Sequence, residues 1–212
     1  MFTVQCDFDD TLVTGNVGHS LLNAFASAKW RAIENLYSKG EITVEETNRR
    51  EFALLNVTKQ TLEEYVFETA ELRPGVPEFI QHCASIGLNF SVVSNGIDLY
   101  IEPVLRDLIS STVELHSAHG KITENGISIS YLDPYGIDCL DGFKLSWLRY
   151  FKSQGQKVIY IGDGKSDISA SLEADYVIAT SSLEDYFRSE GLRYFEFDDF
   201  YDVLQAIDTI LI

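Results

Sequence analysis

The sequence predicts an α/β fold: a doubly wound, mostly parallel sheet with a small helical cap inserted after the first strand and a β-hairpin at the sheet edge. Three observations carry this. Apolar, β-rich runs recur along the chain, each closed by a turn or polar cluster and most followed by a helix-like segment, the alternation of a parallel sheet covered on both faces. A long stretch after the first run shows only helical patterning. A shorter one alternates apolar and polar residues beside a turn.

The first strand is expected over residues 2–8. Residues 17 to about 72 hold no strand pattern, and Thr43-Val44-Glu45-Glu46 and Thr61-Leu62-Glu63-Glu64 each place Glu three residues after Thr, the spacing of a capping box. This divides the chain into a core of residues 1–14 and 73–212 and a helical cap of residues 15–72, with Arg73-Pro74-Gly75 as the turn that restarts the sheet. The aromatics Trp30, Tyr37, Phe52 and Phe67 fit packing within the cap. Then come a helix at 76–86, a strand at 89–93 and a helix at 99–110. The hairpin falls within 113–132, where Ile127-Ser128-Ile129-Ser130-Tyr131 alternates and Glu124-Asn125-Gly126 supplies an Asn-Gly turn. The remainder reads as helix 142–153, strand 157–161, helix 167–174, strand 176–179, helix 183–190 and strand 194–197. Ligands of such sheets bind at the carboxyl ends of the strands, where a cap following the first strand would lie.

The chain has 212 residues, 45% of them apolar, enough for a buried core in one or two domains. Sixteen Lys and Arg against thirty-three Asp and Glu leave a net charge of −17, a surface that repels phosphate backbones and anionic headgroups, so nucleic acid and membranes are not expected partners. The stretch 79–97 lacks charged residues but is interrupted by Gln81, His82, Ser85, Asn89 and Asn95, too polar for the roughly 20 apolar residues of a bilayer span. The N-terminal segment has none of the basic, apolar and cleavage regions of a secretory signal, and the expected location is cytoplasmic. Cys6, Cys83 and Cys139 are odd in number and far apart, which fits reduced thiols rather than a disulfide framework or a Cys-x-x-Cys metal site.

Chemistry concentrates at predicted element ends. The first strand closes Cys6-Asp7-Phe8-Asp9-Asp10-Thr11, and strand alternation puts Asp7 and Asp9 on one side, two carboxylates close enough to call for a cation or a shared proton. A lone Asp-x-Asp is equally an acidic turn. The strand at 157–161 runs into Gly162-Asp163-Gly164-Lys165-Ser166-Asp167, so if the two strands are neighbours four carboxylates ring one point, an oxygen set suited to Mg²⁺. The strand at 89–93 ends Ser94-Asn95-Gly96, where a hydroxyl and backbone amides suit a phosphate oxygen as well as an N-cap. Lys144 stands at a helix start, unfavourable for a cation unless something anionic is near. His116 and His119 lack acidic or thiolate companions at ligand spacing and read as a surface pair.

In this order, Asp7-Phe8-Asp9-Asp10-Thr11, Ser94, Lys144 and Gly162-Asp163-Gly164-Lys165-Ser166-Asp167 resemble the four motifs of the haloacid dehalogenase-like hydrolase superfamily, with its cap directly after the first motif. Within it the layout is similar to the phosphoserine phosphatase group. Leu72-Arg73-Pro74-Gly75-Val76, Arg50-Glu51-Phe52-Ala53-Leu54-Leu55 and the segment from Cys139 to Lys144 are similar to the methionine-salvage phosphatases of 2-hydroxy-3-keto-5-methylthiopentenyl-1-phosphate. Asp10 departs from the Gly or Ser usual at its position, and its side chain is expected to point away from the phosphate. Asn16 stands where phosphoserine phosphatases carry a Glu for the substrate amine.

The resemblance implies a Rossmann-like core and a phosphomonoesterase. Asp7 would be the nucleophile and Asp9 the general acid and base; Mg²⁺ would be held by Asp7, Asp9 and Asp163 with Asp167, and the phosphoryl group by Ser94, Asn95 and Lys144. An acid at Asp9 argues against dehalogenation, which has no leaving oxygen to protonate. Asn16, His19, Arg49 and Arg50 are the cap residues expected to meet the rest of a small phosphorylated metabolite, although adjacent arginines on a helix are equally a solvated face. Phosphoserine hydrolysis and phosphoryl transfer to an acceptor alcohol stay open as alternatives. A non-catalytic binding module would not need both Asp7 and Asp9.

Overall fold

The computed structural model describes residues 1–108 and 113–212. Its sheet has seven strands in the order β4-β3-β2-β1-β5-β6-β7. Strand β1 (Phe2–Cys6) lies at the centre, parallel to β2 (Asn89–Ile97) on one side and β5 (Lys157–Gly162) on the other. The apolar runs of these strands are what burial on both faces requires: Val4, Cys6, Phe90, Val92, Ile159 and Ile161 are all inaccessible or nearly so. Parallel β6 (Tyr176–Ala179) and the two-residue β7 (Phe195–Glu196) continue the sheet beyond β5.

On the other side, β3 (Val113–Thr123) pairs parallel with β2 in its first half and then antiparallel with β4 (Gly126–Ser130). This is the expected edge hairpin, with the turn shifted by one residue. Thr123 faces Gly126, so Glu124 and Asn125 form the loop and Gly126, at φ +116°, closes it.

The stretch between β1 and β2 is helical: α1 (Val17–Phe25), α2 (Trp30–Ser38), α3 (Val44–Phe52), α4 (Lys59–Thr69) and α5 (Val76–Ile86). The chain leaves and returns through adjacent segments, with a bridge between Val13 and Leu72 and an Arg73 amide that donates to the Leu12 carbonyl. Thr43 caps α3 as its spacing predicts, its hydroxyl accepting from the Glu46 amide. The second signal was misplaced by one turn: Thr58 caps α4, and Thr61 lies inside the helix. Trp30 and Phe52 are buried as expected of cap packing, whereas Phe67 is exposed.

Helix α6 (Asp98–Leu105) follows β2, and the end of the helix expected at 99–110 lies outside the described residues. The order closes with α7 (Phe143–Ser153), a 3₁₀ turn (Lys165–Asp167) running into the short α8 (Ile168–Ser171), then α9 (Ser181–Ser189) and α10 (Phe200–Leu211). Helix α10 is an addition to the expected elements. Phe200, Val203, Ile207 and Ile210 give it a buried stripe at helical spacing, and Asp199 caps it. The uncharged stretch 79–97 is divided between α5 and β2 by a turn at Gly87, φ +68°. No helix among the described residues is long and apolar enough to cross a membrane.

Candidate active site

A cavity of about 180 Å³ lies between the carboxyl ends of the central strands and the helices of residues 17–69. Asp7, Asp9, Ser94, Asn95, Lys144 and Asp163 all line its floor. The neighbouring β1 and β5 bring the two acidic motifs together.

Asp7 follows the last residue of β1, and its amide still donates to the Ile161 carbonyl on β5 at 3.0 Å, which fixes the backbone where the chain leaves the sheet. Lys144, the second residue of α7, is buried beneath it with Nζ 2.8 Å from Asp7 Oδ2 and 2.7 Å from Asp167 Oδ1. Its start is tied to the sheet by Gln5, whose Nε2 donates to the Lys144 carbonyl. Burial by itself would lower the lysine pKa, but Asp167 and Asp7 hold it well above its usual value, so the ammonium is permanent.

Asp167 is fully buried and fully engaged. Oδ1 accepts from Lys144 and the Tyr160 hydroxyl, and Oδ2 accepts from the amides of Asp163 and Gly164. A side chain at Gly162 would strike this carboxylate, with its Cβ 2.7 Å from Asp167 Cγ. Asp163 faces the cavity and accepts from the Thr11 hydroxyl at 3.0 Å. Burial, opposed by Lys144 and reinforced by Asp167, pushes Asp7 up to about 7. Burial followed by Asp167 and Asp7 pushes Asp163 up to about 8.

Candidate ligand oxygens of Asp7, Asp163 and Asp167 lie within 4.8 Å of one another. Three crowded carboxylates with one lysine between them are under-compensated, and an all-oxygen set fits a hard divalent cation such as Mg²⁺.

Asp9 lies beyond the strand, so strand alternation is not what orients it; its partners do. Oδ1 accepts from the Val17 amide at the start of α1 at 2.7 Å, and Oδ2 accepts from the Tyr100 hydroxyl of α6 at 2.6 Å. Tyr100 reaches it across Gly96, where any Cβ would collide with the hydroxyl. Burial raises the Asp9 pKa, and the hydrogen bonds from Tyr100 and Val17 work against that rise. Asp10 borders the cavity with its backbone at φ +55°, in the left-handed region that favours Gly.

Ser94 and Asn95 sit at the end of β2, which stays extended through Ile97, so they are not the cap of the following helix. Ser94 Oγ accepts from the Gly96 amide, which leaves its hydroxyl proton for a ligand. The Asn95 side chain is committed: Nδ2 donates to Glu45 Oε1, and that same oxygen accepts from the Phe143 amide ahead of Lys144. The Asn95 carbonyl is engaged as well, accepting from Asn48 Nδ2 and the Tyr131 hydroxyl.

Of the cap candidates, Asn16 and His19 line the cavity, although Asn16 Oδ1 is used to cap α1 by accepting from the His19 amide. Arg49 and Arg50 do not reach it. Arg49 pairs with Asp138 and the Cys139 carbonyl, and Arg50 with Glu46 on the face of α3. Sequence reasoning passed over Tyr100, Glu45, Glu34 and Glu51. Glu45 was visible only as part of a helix start, where acidic residues ordinarily face solvent. His116 and His119 are no pair: His116 is half-buried, stacked on Trp147 at 3.5 Å, and His119 is exposed beside Asp98.

Residues 4–172 match the haloacid dehalogenase-like hydrolase family. The chain is 31% identical over 97% of its length to the bifunctional enzyme MtnB/MtnX of Bacillus licheniformis, and spans about half (49%) of that longer protein. It is 27% identical to 2-hydroxy-3-keto-5-methylthiopentenyl-1-phosphate phosphatase of Brevibacillus brevis, covering 97% of this chain and 94% of that one. Among solved structures, a phospho-aspartyl intermediate analogue of phosphoserine phosphatase superposes with a TM-score of 0.72 at 18% identity, over 97% of this chain and 98% of that one. A phosphoserine phosphohydrolase-like protein of Francisella tularensis has a TM-score of 0.70 at 23% identity, covering 98% of this chain and 100% of that one. Both likenesses are of fold.

Proposed function

The chain belongs to the haloacid dehalogenase-like hydrolase family and is a phosphatase within it, and from that premise we propose that it hydrolyses a small phosphorylated metabolite through an aspartyl phosphate on Asp7, with 2-hydroxy-3-keto-5-methylthiopentenyl-1-phosphate as the preferred substrate. The observation that carries this is the pairing at the cavity floor: Asp7 is held in place by buried Lys144, and Asp9 beside it is held between Val17 and Tyr100. The substrate rests on the relatives that bear that name over nearly their whole length.

An Asp7 oxygen attacks phosphorus while the ester P–O bond breaks. Asp9, whose pKa burial raises, gives a proton to the leaving oxygen. Water then attacks phosphorus, loses its proton to Asp9, and the Asp7–phosphorus bond breaks to release phosphate. Lys144 and the Ser94 hydroxyl hold the phosphoryl oxygens along with the Asn95 amide, since this chemistry is mainly positioning and charge stabilisation. Asp7 and Asp163 would hold Mg²⁺, with the Asp9 backbone and with Asp167, its own oxygens already bonded, steadying the set. Bound there, Mg²⁺ would supply charge neutralisation as two anions meet. The residues 15–72 act as the cap that excludes water, and the setting is cytoplasmic.

Phosphoserine is the weaker reading, because Asn16 offers no ion pair to an amine and neither Arg49 nor Arg50 reaches the cavity. Phosphate release by purified protein with Mg²⁺ or EDTA, across p-nitrophenyl phosphate, phosphoserine, sugar phosphates and the methylthiopentenyl enol phosphate, tests the reading. One dominant, Mg²⁺-dependent enol phosphate activity is expected. Dominant phosphoserine hydrolysis would overturn the substrate, and phosphate loss that requires an acceptor alcohol would show a phosphotransferase.

A further inference from the structure

Opposite the catalytic floor, three cap helices send an imidazole and two carboxyl groups into the same cavity: His19 from α1, Glu34 from α2 and Glu51 from α3. Their ligating atoms lie within 4.8 Å of one another, and His19 Nε2 is 3.6 Å from Glu34 Oε2. The imidazole ring packs on Trp30 at 5.2 Å, which holds it in place. Glu51 is the unusual member. It is only 1% exposed, and its Oε1 is buried with no hydrogen-bond partner among the described residues. A buried acceptor left unsatisfied is costly, so an oxygen at a cavity wall calls for a donor on the ligand.

We propose that His19, Glu34 and Glu51 form a second subsite, in the roof of the cavity, that takes the uncharged hydroxyl and carbonyl oxygens the substrate carries beyond its phosphate and turns away substrates that carry a carboxylate there. The inference rests on the phosphatase reading above. A substrate hydroxyl donates to Glu51 Oε1, and a neighbouring carbonyl or hydroxyl oxygen accepts from His19. The two lysines that line the cavity are engaged elsewhere. Lys144 serves Asp7 and Asp167, Lys165 donates to the Tyr37 and Ser38 carbonyls, and Arg49 and Arg50 lie outside. A carboxylate at the roof would therefore meet two carboxyl groups and one imidazole. Burial, then the charge of Glu34, pushes Glu51 up to about 7 against the opposing pull of His19.

The test compares two esters of one skeleton, glycerol 3-phosphate and 3-phosphoglycerate, which differ in a terminal hydroxymethyl or carboxylate. Values of kcat/KM are measured with Mg²⁺ for the unmodified chain and for Glu51→Gln, with p-nitrophenyl phosphate first establishing that the unmodified chain is a phosphatase. The unmodified enzyme is expected to prefer glycerol 3-phosphate at least about tenfold, and Glu51→Gln to narrow that ratio by about tenfold. A merely structural Glu51 would lower both values together and leave the ratio. Should Glu51→Gln not fold, competitive inhibition of the unmodified enzyme by the two compounds reads the same preference. An unchanged ratio, or equal inhibition, sinks the inference alone. No p-nitrophenyl phosphate turnover sinks the phosphatase reading and the inference with it. A second equivalent of Mn²⁺, bound beside saturating Mg²⁺ and removed by Glu51→Gln, would assign the cluster to a metal and overturn the substrate role.

Discussion

The floor and the roof of one cavity are built by different rules. Floor residues Asp7, Ser94 and Asp163 stand at or just past the ends of adjacent strands, so sheet order converts short sequence motifs into one point in space. Roof residues His19, Glu34 and Glu51 come one from each of three helices, and their meeting depends on how those helices pack. The floor sets a buried Lys144 between Asp7 and Asp167, with Asp163 beside them, whereas the roof sets two carboxyl groups against a single imidazole. A fixed chemistry can thus be kept at the strand ends while recognition is rewritten in the helices.

The largest expected effect tests the floor. Asp7→Asn keeps the shape and removes the nucleophile, so turnover should fall on the order of 10⁴-fold or more with an unchanged circular dichroism spectrum. Retained turnover would move the nucleophile elsewhere. Lys144→Met comes next, because it leaves Asp7 and Asp167 without their cation. It should lower stability by about 3 kcal/mol in urea unfolding as well as abolishing activity, and a folded, equally stable variant would contradict the role given to the ion pairs.

Tyr100→Phe removes the hydroxyl that donates to Asp9. That hydrogen bond lowers the Asp9 pKa, so its loss raises the pKa, and the alkaline limb of the kcat profile should move to higher pH with kcat reduced roughly tenfold. A limb that stays or moves down would show that Asp9 is not the acid.

Stability should follow pH in a direction opposite to that of ordinary salt-bridged carboxylates. Asp7 rises from 3.8 to about 7 and Asp163 from 3.8 to about 8, so the folded chain binds more protons than the unfolded one between those values. In EDTA the melting temperature should therefore fall as pH rises from about 4 to about 8. Mg²⁺ should restore most of the loss at the upper end, and a flat profile would mean that the carboxylates are not crowded as described. The smallest effect belongs to the roof's scaffold. Thr43→Ala deletes the α3 cap and should cost about 1 kcal/mol, read as a small drop in melting temperature.

The same division explains what could be read in the sequence. Central strands announce themselves as continuous apolar runs, and Asp7, Asp9, Ser94, Lys144, Asp163 and Asp167 lie in motifs that mean something only when taken together. The parallel pairing of β1 with β5 then brings the two acidic motifs together. Helix α10 carries both a capping Asp199 and a buried stripe at helical spacing, signals of the same kind. The roof was harder. Arg49 and Arg50 are the natural contacts for an anionic metabolite by charge, yet α3 turns Glu51 and Phe52 inward and neither arginine. Glu45 resembles any acidic residue of a first turn until the fold shows it bridging Asn95 and Phe143. No short-range spacing encodes contacts between groups more than forty residues apart.

The most direct test of the account is a rapid acid quench of the unmodified chain during turnover, followed by mass analysis of its peptides. A phosphoryl adduct on the peptide bearing Asp7, absent from Asp7→Asn, is the predicted result. Phosphate release without any adduct on that peptide, or an adduct that survives the Asp7→Asn change, would contradict it.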